Sequence, residues 1–230
     1  MRTHRFLRGS DLSGPVLVIL VTLVSSVCAA QAAGAAAEGK AGGSAERENR
    51  PCQFRENDVL APYRKISWED YKGKRPRSMG PAAARIQAGI ELKSFEVETK
   101  KEGDVWVVRA KDICLYSFLD KFKSFYQADV ATSIALAHGQ GHFDLTEAFT
   151  RRLYWTLVGL EARNSEVGLA SAELRSRISA EYQKALREWQ AMEDLYDKET
   201  GHGGYALAQR KWKKKIRGLL ATKHAGSTGG

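Results

Sequence analysis

Apolar and polar residues alternate through residues 84–98, so that Ile86, Ala88, Ile90 and Leu92 share one face of an extended segment. Phe95 and Val97 fall on the other phase, which predicts a bulge or bend near Lys93–Ser94. Lys100-Lys101-Glu102-Gly103-Asp104 reads as a hairpin turn, and Val105–Leu115 returns as a second strand with Trp106, Val108 and Ala110 on one side. Upstream, Lys65-Ile66-Ser67-Trp68-Glu69-Asp70-Tyr71 is either a short edge strand or an anchoring loop. After Ser117 the apolar spacing lengthens to that of a helix. Asp129 or Thr132 caps a helix reaching about Leu157, with Ile134, Leu136, Leu145, Phe149 and Leu153 as its apolar positions. A second helix over about Ala172–Tyr196 carries Leu174, Ile178, Tyr182, Ala185, Trp189, Met192 and Tyr196 at steps of three and four. A Gly-rich loop follows, and then a third helix with Ala208, Trp212, Ile216 and Leu219 on its buried stripe. The pattern predicts an α+β fold: an antiparallel hairpin or small sheet, then one helix carrying paired histidines, then two further long helices.

The ends read differently. Arg2, Arg5 and Arg8, a short apolar run at Val16–Val24 and Ala30-Gln31-Ala32 make residues 1–32 a signal peptide, with an uncleaved anchor as the alternative. Export, to a periplasm or to the medium, is the expected localisation. Residues 33–51 are Ala, Gly, Ser, Glu and Lys with little to bury, and read as a disordered linker. The folded domain is expected over 52–222, with a disordered tail at 223–230. Once the leader and its Cys28 are removed, Cys52 and Cys114 remain; in an oxidising compartment they form one disulfide, against the alternative of two free buried thiols.

The formal charge is +9, but residues 200–230 alone hold seven Lys/Arg and no Asp or Glu. The leader adds three Arg against one Asp, so the body of the chain is close to neutral. That argues against a nucleic-acid-binding surface. The stretch Lys211-Trp212-Lys213-Lys214-Lys215-Ile216-Arg217 is either a cationic amphipathic segment touching a membrane surface or envelope polymer, or a docked helix with its lysines in water.

The chemistry concentrates in His138-Gly139-Gln140-Gly141-His142. Two imidazoles four residues apart stack on one helical face, the arrangement from which a zinc ion takes its first two ligands. His202, in the Gly-rich loop, is the candidate third ligand because it can approach from another direction. A structural hydrogen-bonding cluster is the alternative. Asp144 and Glu147 point away from the histidine face; they are candidates for second-shell hydrogen bonds to a ligand imidazole, or for salt bridges with Arg151 or Arg152. Tyr196 is a candidate oxyanion stabiliser or a core residue on the helix stripe.

Leu136-Ala137-His138-Gly139-Gln140-Gly141-His142-Phe143-Asp144-Leu145-Thr146-Glu147, followed by Tyr196-Asp197-Lys198-Glu199-Thr200-Gly201-His202-Gly203 and Gln209-x-x-Trp212, resembles the bacterial exported proteins of domain-of-unknown-function family 922. These are described as predicted secreted zinc-dependent proteases. The resemblance covers roughly residues 60–220, Trp68 and the hairpin included. It implies a zincin-like fold, zinc as cofactor, a peptide or envelope protein as substrate or partner, and His138 and His142 as zinc ligands. His202 matches the later T-x-H-G histidine. The family reads H-E-Q-G-H-F-D, whereas this chain has Gly139 in the Glu position. That Glu would act as general base, which is typically worth about 100- to 10,000-fold in rate. Two readings follow: a zincin-like metallopeptidase whose activity is weak or lost, or a non-catalytic zinc-binding pseudoenzyme that holds a peptide or protein partner.

Overall fold

The structure, a computed structural model, describes residues 55–76 and 84–222. The expected leader, linker, Cys52 with its bridge to Cys114, and tail lie outside the described residues. Strand β1 (Leu60–Pro62) precedes a 3-10 turn (Trp68–Asp70). Then come β2 (Ala84–Arg85), β3 (Ala88–Glu102), β4 (Val105–Asp120) and β5 (Phe125–Tyr126). The rest is α1 (Ser133–Val158), β6 (Glu161–Asn164), α2 (Val167–Thr200) and α3 (Ala206–Ala221). The fold is α+β, a small antiparallel sheet with three helices. Among the described residues no helix is long and apolar enough to cross a membrane.

The hairpin β3–β4 dominates the sheet. Gly103, at φ +62°, takes the left-handed position that its tight turn requires. The predicted bulge lies where the phase broke: pairing slips between Leu92 and Ser94 and again between Ser94 and Glu96. On the partner strand Asp112 adopts φ +46°. Beyond it the inward face changes from Val108 to Ile113, Leu115 and Leu119. Strand β4 therefore runs to Asp120, beyond the expected Leu115. Its other edge takes β1 at one end and β6 at the other. β6 was not expected; its four residues, Glu-Ala-Arg-Asn, carry no apolar alternation.

Helix α1 starts where Thr132 accepts a hydrogen bond from the Ala135 N–H at 3.1 Å, so Thr132 rather than Asp129 is the cap. It packs against β4, α2 and α3. Phe149, Leu153 and Leu157 meet Leu174 and Ile178 of α2 and Val108 and Leu115 of β4 in the main core. Phe143 lies in a second cluster with Ala61, Ile66, Tyr71 and Leu119. Helix α3 docks through Trp212 and Ile216 onto Leu145 and Tyr196, and leaves its Lys and Arg side chains exposed.

The segment Lys65–Tyr71 is an anchoring loop containing the 3-10 turn. Arg64 reaches Asp70 at 2.6 and 2.8 Å and Glu56 at 2.8 Å, and Lys121 at the end of β4 reaches Glu56 at 2.6 Å. Asp70 is buried, yet its hydrogen bonds from Arg64 and Ser67 outweigh burial and hold its carboxyl below the usual range. Gln140 of α1 clasps the same loop, accepting from the Ile66 N–H at 2.8 Å and donating to the Arg64 carbonyl at 3.3 Å.

This cluster makes folding sensitive to acid. Hydrogen bonds from Arg64 and then Lys121 hold Glu56 at about 2, down from 4.5. Its contribution is present above pH 4.5 and is lost as pH falls through about 2. Urea midpoints taken between pH 6 and pH 2.5 should fall more steeply below 4.5 for the natural chain than for Glu56→Gln.

Candidate metal site

His138 and His142 sit one turn apart on α1, facing α2. Their Nε2 atoms lie 3.1 Å apart, and Asp197 Oδ1 is 3.0 Å from the first and 2.9 Å from the second. Four donors set 2.0–2.1 Å from a zinc ion at tetrahedral angles would be about 3.3 Å apart. The observed triangle is close to that face, and His138, His142 and Asp197 form a group that could hold a metal ion.

The far sides of the rings have partners of their own. His142 Nδ1 meets Glu193 Oε2, and Glu193 is itself held by the Trp189 indole N–H at 3.0 Å. His138 Nδ1 lies 3.3 Å from Gln209 Oε1. Both partners offer an oxygen acceptor to Nδ1, and a ring whose proton is held there turns its Nε2 lone pair toward the centre. With both ring protons at Nδ1, the two Nε2 atoms and Asp197 Oδ1 converge on one point, as the donors of a metal ion do. Burial disfavours charge on His142, but hydrogen bonds to Asp197 and Glu193 outweigh it and push its pKa up to about 9. Asp197 is raised by burial and lowered more by the two histidines, ending well below the usual carboxylate range.

The structure brings Asp197, not His202, into contact with the helical pair. His202 adopts φ +51° in the turn after α2, and its side chain is 80% exposed. Its Nδ1 lies 3.4 Å from the outer oxygen, Asp197 Oδ2. Asp144 and Glu147 touch neither histidine. Asp144 accepts from Tyr63 at 2.9 Å and Gln140 at 2.8 Å; Glu147 accepts from Ser117 at 2.6 Å and pairs with Arg151 at 2.7 Å. The angular argument that turned both away from the histidine face also removes them from a supporting role, which falls to Glu193 and Gln209. Glu193 and Asp197 had a signal of their own, an i, i+4 carboxylate pair on α2 facing the i, i+4 imidazole pair on α1.

Both glycines of the motif are notches. A Cβ on Gly141 would overlap the Tyr196 hydroxyl and stand 2.7 Å from its Cζ. Tyr196 is fully buried behind the imidazoles, stacked on His138 at 4.7 Å between centroids and edge-on to His142 at 4.8 Å. Its hydroxyl accepts from Gln209 and donates to the His138 carbonyl at 3.3 Å. It packs behind the site and does not line the cavity in front, so it is not placed to meet an oxyanion there. On the other side, a Cβ on Gly139 would fall on the Tyr71 hydroxyl. Tyr71 is buried, and burial first, then the nearby Asp70 charge, raises its pKa and keeps the phenol neutral. A cavity of about 810 Å³ opens in front of the histidines between the Arg85–Ala88 segment and the α2 residues Glu193 and Asp197.

Gly141→Ala should therefore destabilise. Ala gains about 1 kcal/mol of helix propensity over Gly, but overpacking costs about 1–3 kcal/mol and Tyr196 is held at both ends of its hydroxyl. A lower thermal midpoint for this variant is the expected result.

No curated protein and no solved structure matches the chain. Residues 126–203, from β5 through the α1 histidines to the turn after Asp197, match the family described as bacterial protein of unknown function (DUF922).

Proposed function

We propose that this chain is an exported zinc-binding protein of the zincin type, with peptidase activity weak or lost. The observation that carries the metal reading is the convergence of His138 Nε2, His142 Nε2 and Asp197 Oδ1 about 3 Å apart, with the outer ring nitrogens claimed by Glu193 and Gln209. Two imidazoles and one carboxylate suit zinc, with a fourth position facing the cavity. When bound, zinc supplies Lewis acidity and lowers the pKa of a coordinated water. The chain's own part is to hold His138 and His142 in the Nδ1–H tautomer and to keep Asp197 ionised. A peptide passing along the Arg85–Ala88 segment would cross in front of these donors.

The non-catalytic reading, a pseudoenzyme that binds a peptide or envelope protein, is favoured by one further observation. The point from which a general-base side chain would leave α1 is filled by the Tyr71 hydroxyl. The glycine is therefore matched by a neighbour that takes up its space, and simple restoration of a carboxylate has no room.

Zinc content measured on purified protein should be one per chain, and should be lost in His138→Ala, His142→Ala and Asp197→Ala. It should be retained in His202→Ala. Loss in His202→Ala with retention in Asp197→Ala would return the third position to the loop imidazole. For activity, Gly139→Glu alone should gain no peptidase, whereas Gly139→Glu with Tyr71→Ala should. Efficient cleavage by the natural chain would overturn the reading that hydrolysis is weak or lost.

A further inference from the structure

Among the described residues, the Tyr71 hydroxyl is the buried side-chain polar atom that has no hydrogen-bond partner. A buried hydroxyl with nothing to bond is costly, and a phenylalanine would fill the same space without that cost. The position is not the result of loose packing. Asp70 on one side is pinned by Arg64 and Ser67. On the other side the Lys72 and Gly73 N–H groups donate to Lys121 and Ser124 carbonyls at 2.9 and 2.7 Å. The ring itself packs on Trp68 and Tyr126. A rigid frame thus drives the phenol oxygen into the Gly139 notch, next to His138 on α1. Tyr71 lines the cavity that His138, His142 and Asp197 share.

We propose that Tyr71 donates its hydroxyl proton to an anionic oxygen ligand, of the carboxylate or hydroxamate kind, bound at the His138–His142–Asp197 centre. The inference rests on the metal reading given above. The hydroxyl is orphaned in the ligand-free chain because its acceptor belongs to the ligand. An anionic oxygen is the chemistry that the place selects: it binds a metal as a hard donor and still has lone pairs for the phenol. A neutral nitrogen ligand binds the same metal and offers the phenol nothing.

The test uses the full chain loaded with cobalt(II), titrated with acetohydroxamate and separately with imidazole, the visible spectrum reporting occupancy. In Tyr71→Phe the acetohydroxamate affinity should fall about tenfold, as for loss of one hydrogen bond to a charged group. Imidazole affinity and cobalt content should be unchanged, and the ligand-free thermal midpoint should rise. In the natural chain loaded with diamagnetic zinc, acetohydroxamate should bring a tyrosine hydroxyl proton into slow exchange, as a low-field resonance missing from the variant. Equal acetohydroxamate affinity with a raised midpoint would make the hydroxyl a tolerated defect and overturn the proposal. Equal weakening of both probes, with a lowered midpoint, would make Tyr71 structural and overturn it too. A natural chain that takes up no cobalt removes the metal reading and this inference together; cobalt taken up with unchanged affinities removes this inference alone.

Discussion

Two imidazole nitrogens and a carboxylate oxygen cannot stay about 3 Å apart in a half-buried pocket without a proton or a metal ion among them. Electrostatic repulsion between three lone pairs would open the α1–α2 interface there. The site therefore depends on what lies between the donors: a ring proton shared with Asp197 or, in the function proposed above, a metal ion. The supporting groups suit the proposed metal. Glu193 and Gln209 come from different helices, and each occupies an outer ring nitrogen. Both rings then present the nitrogen that a metal takes.

Close approach of the elements around α1 comes from glycine. Gly139 and Gly141 lie on either side of Gln140 and admit a phenol from opposite sides of the helix. Tyr196 arrives from α2 and backs the imidazoles; Tyr71 arrives from the anchoring loop and faces the cavity. Gln140, between them, binds that loop by both ends of its amide. Each residue of His138–His142 thus has an assigned contact, which explains why two poor helix formers persist mid-helix against a cost of about 1 kcal/mol each. The same packing bears on the proposed function, because the space beside position 139 is taken by the Tyr71 hydroxyl, a polar atom on a different element.

The loop from Glu56 to Gly73 shows how a segment with little regular structure can be held firmly. Its charges pair internally and with the end of β4, and its backbone N–H groups find carbonyls in the β4–β5 turn. Tyr71 inherits that rigidity. A residue that neither helix periodicity nor strand alternation singles out becomes the most strictly placed phenol in front of the histidines.

The sequence by itself determined the local features. The start of α1 near Asp129–Thr132, the stripe of α2, the bulge near Lys93–Ser94 and the placing of His138 one turn from His142 each depend on residues within a few positions of one another. Their geometry follows from the 3.6 and 2.0 periods alone. Tertiary structure decided which groups from elsewhere meet them. Asp197 rather than His202 faces the pair because α2 continues four residues beyond its expected end. Asp197 is thereby kept on the helix, while His202 falls in a left-handed turn and stays largely exposed at the edge of the same cavity. Glu193, Gln209 and Tyr71 reach the site from 51, 71 and 68 or more residues away, across helix crossings and loop contacts that no local period encodes. Rotational phase between packed elements is set by the whole core, and so the carboxylate that faces the histidines and the occupant of the glycine notch could be read only once the chain was folded.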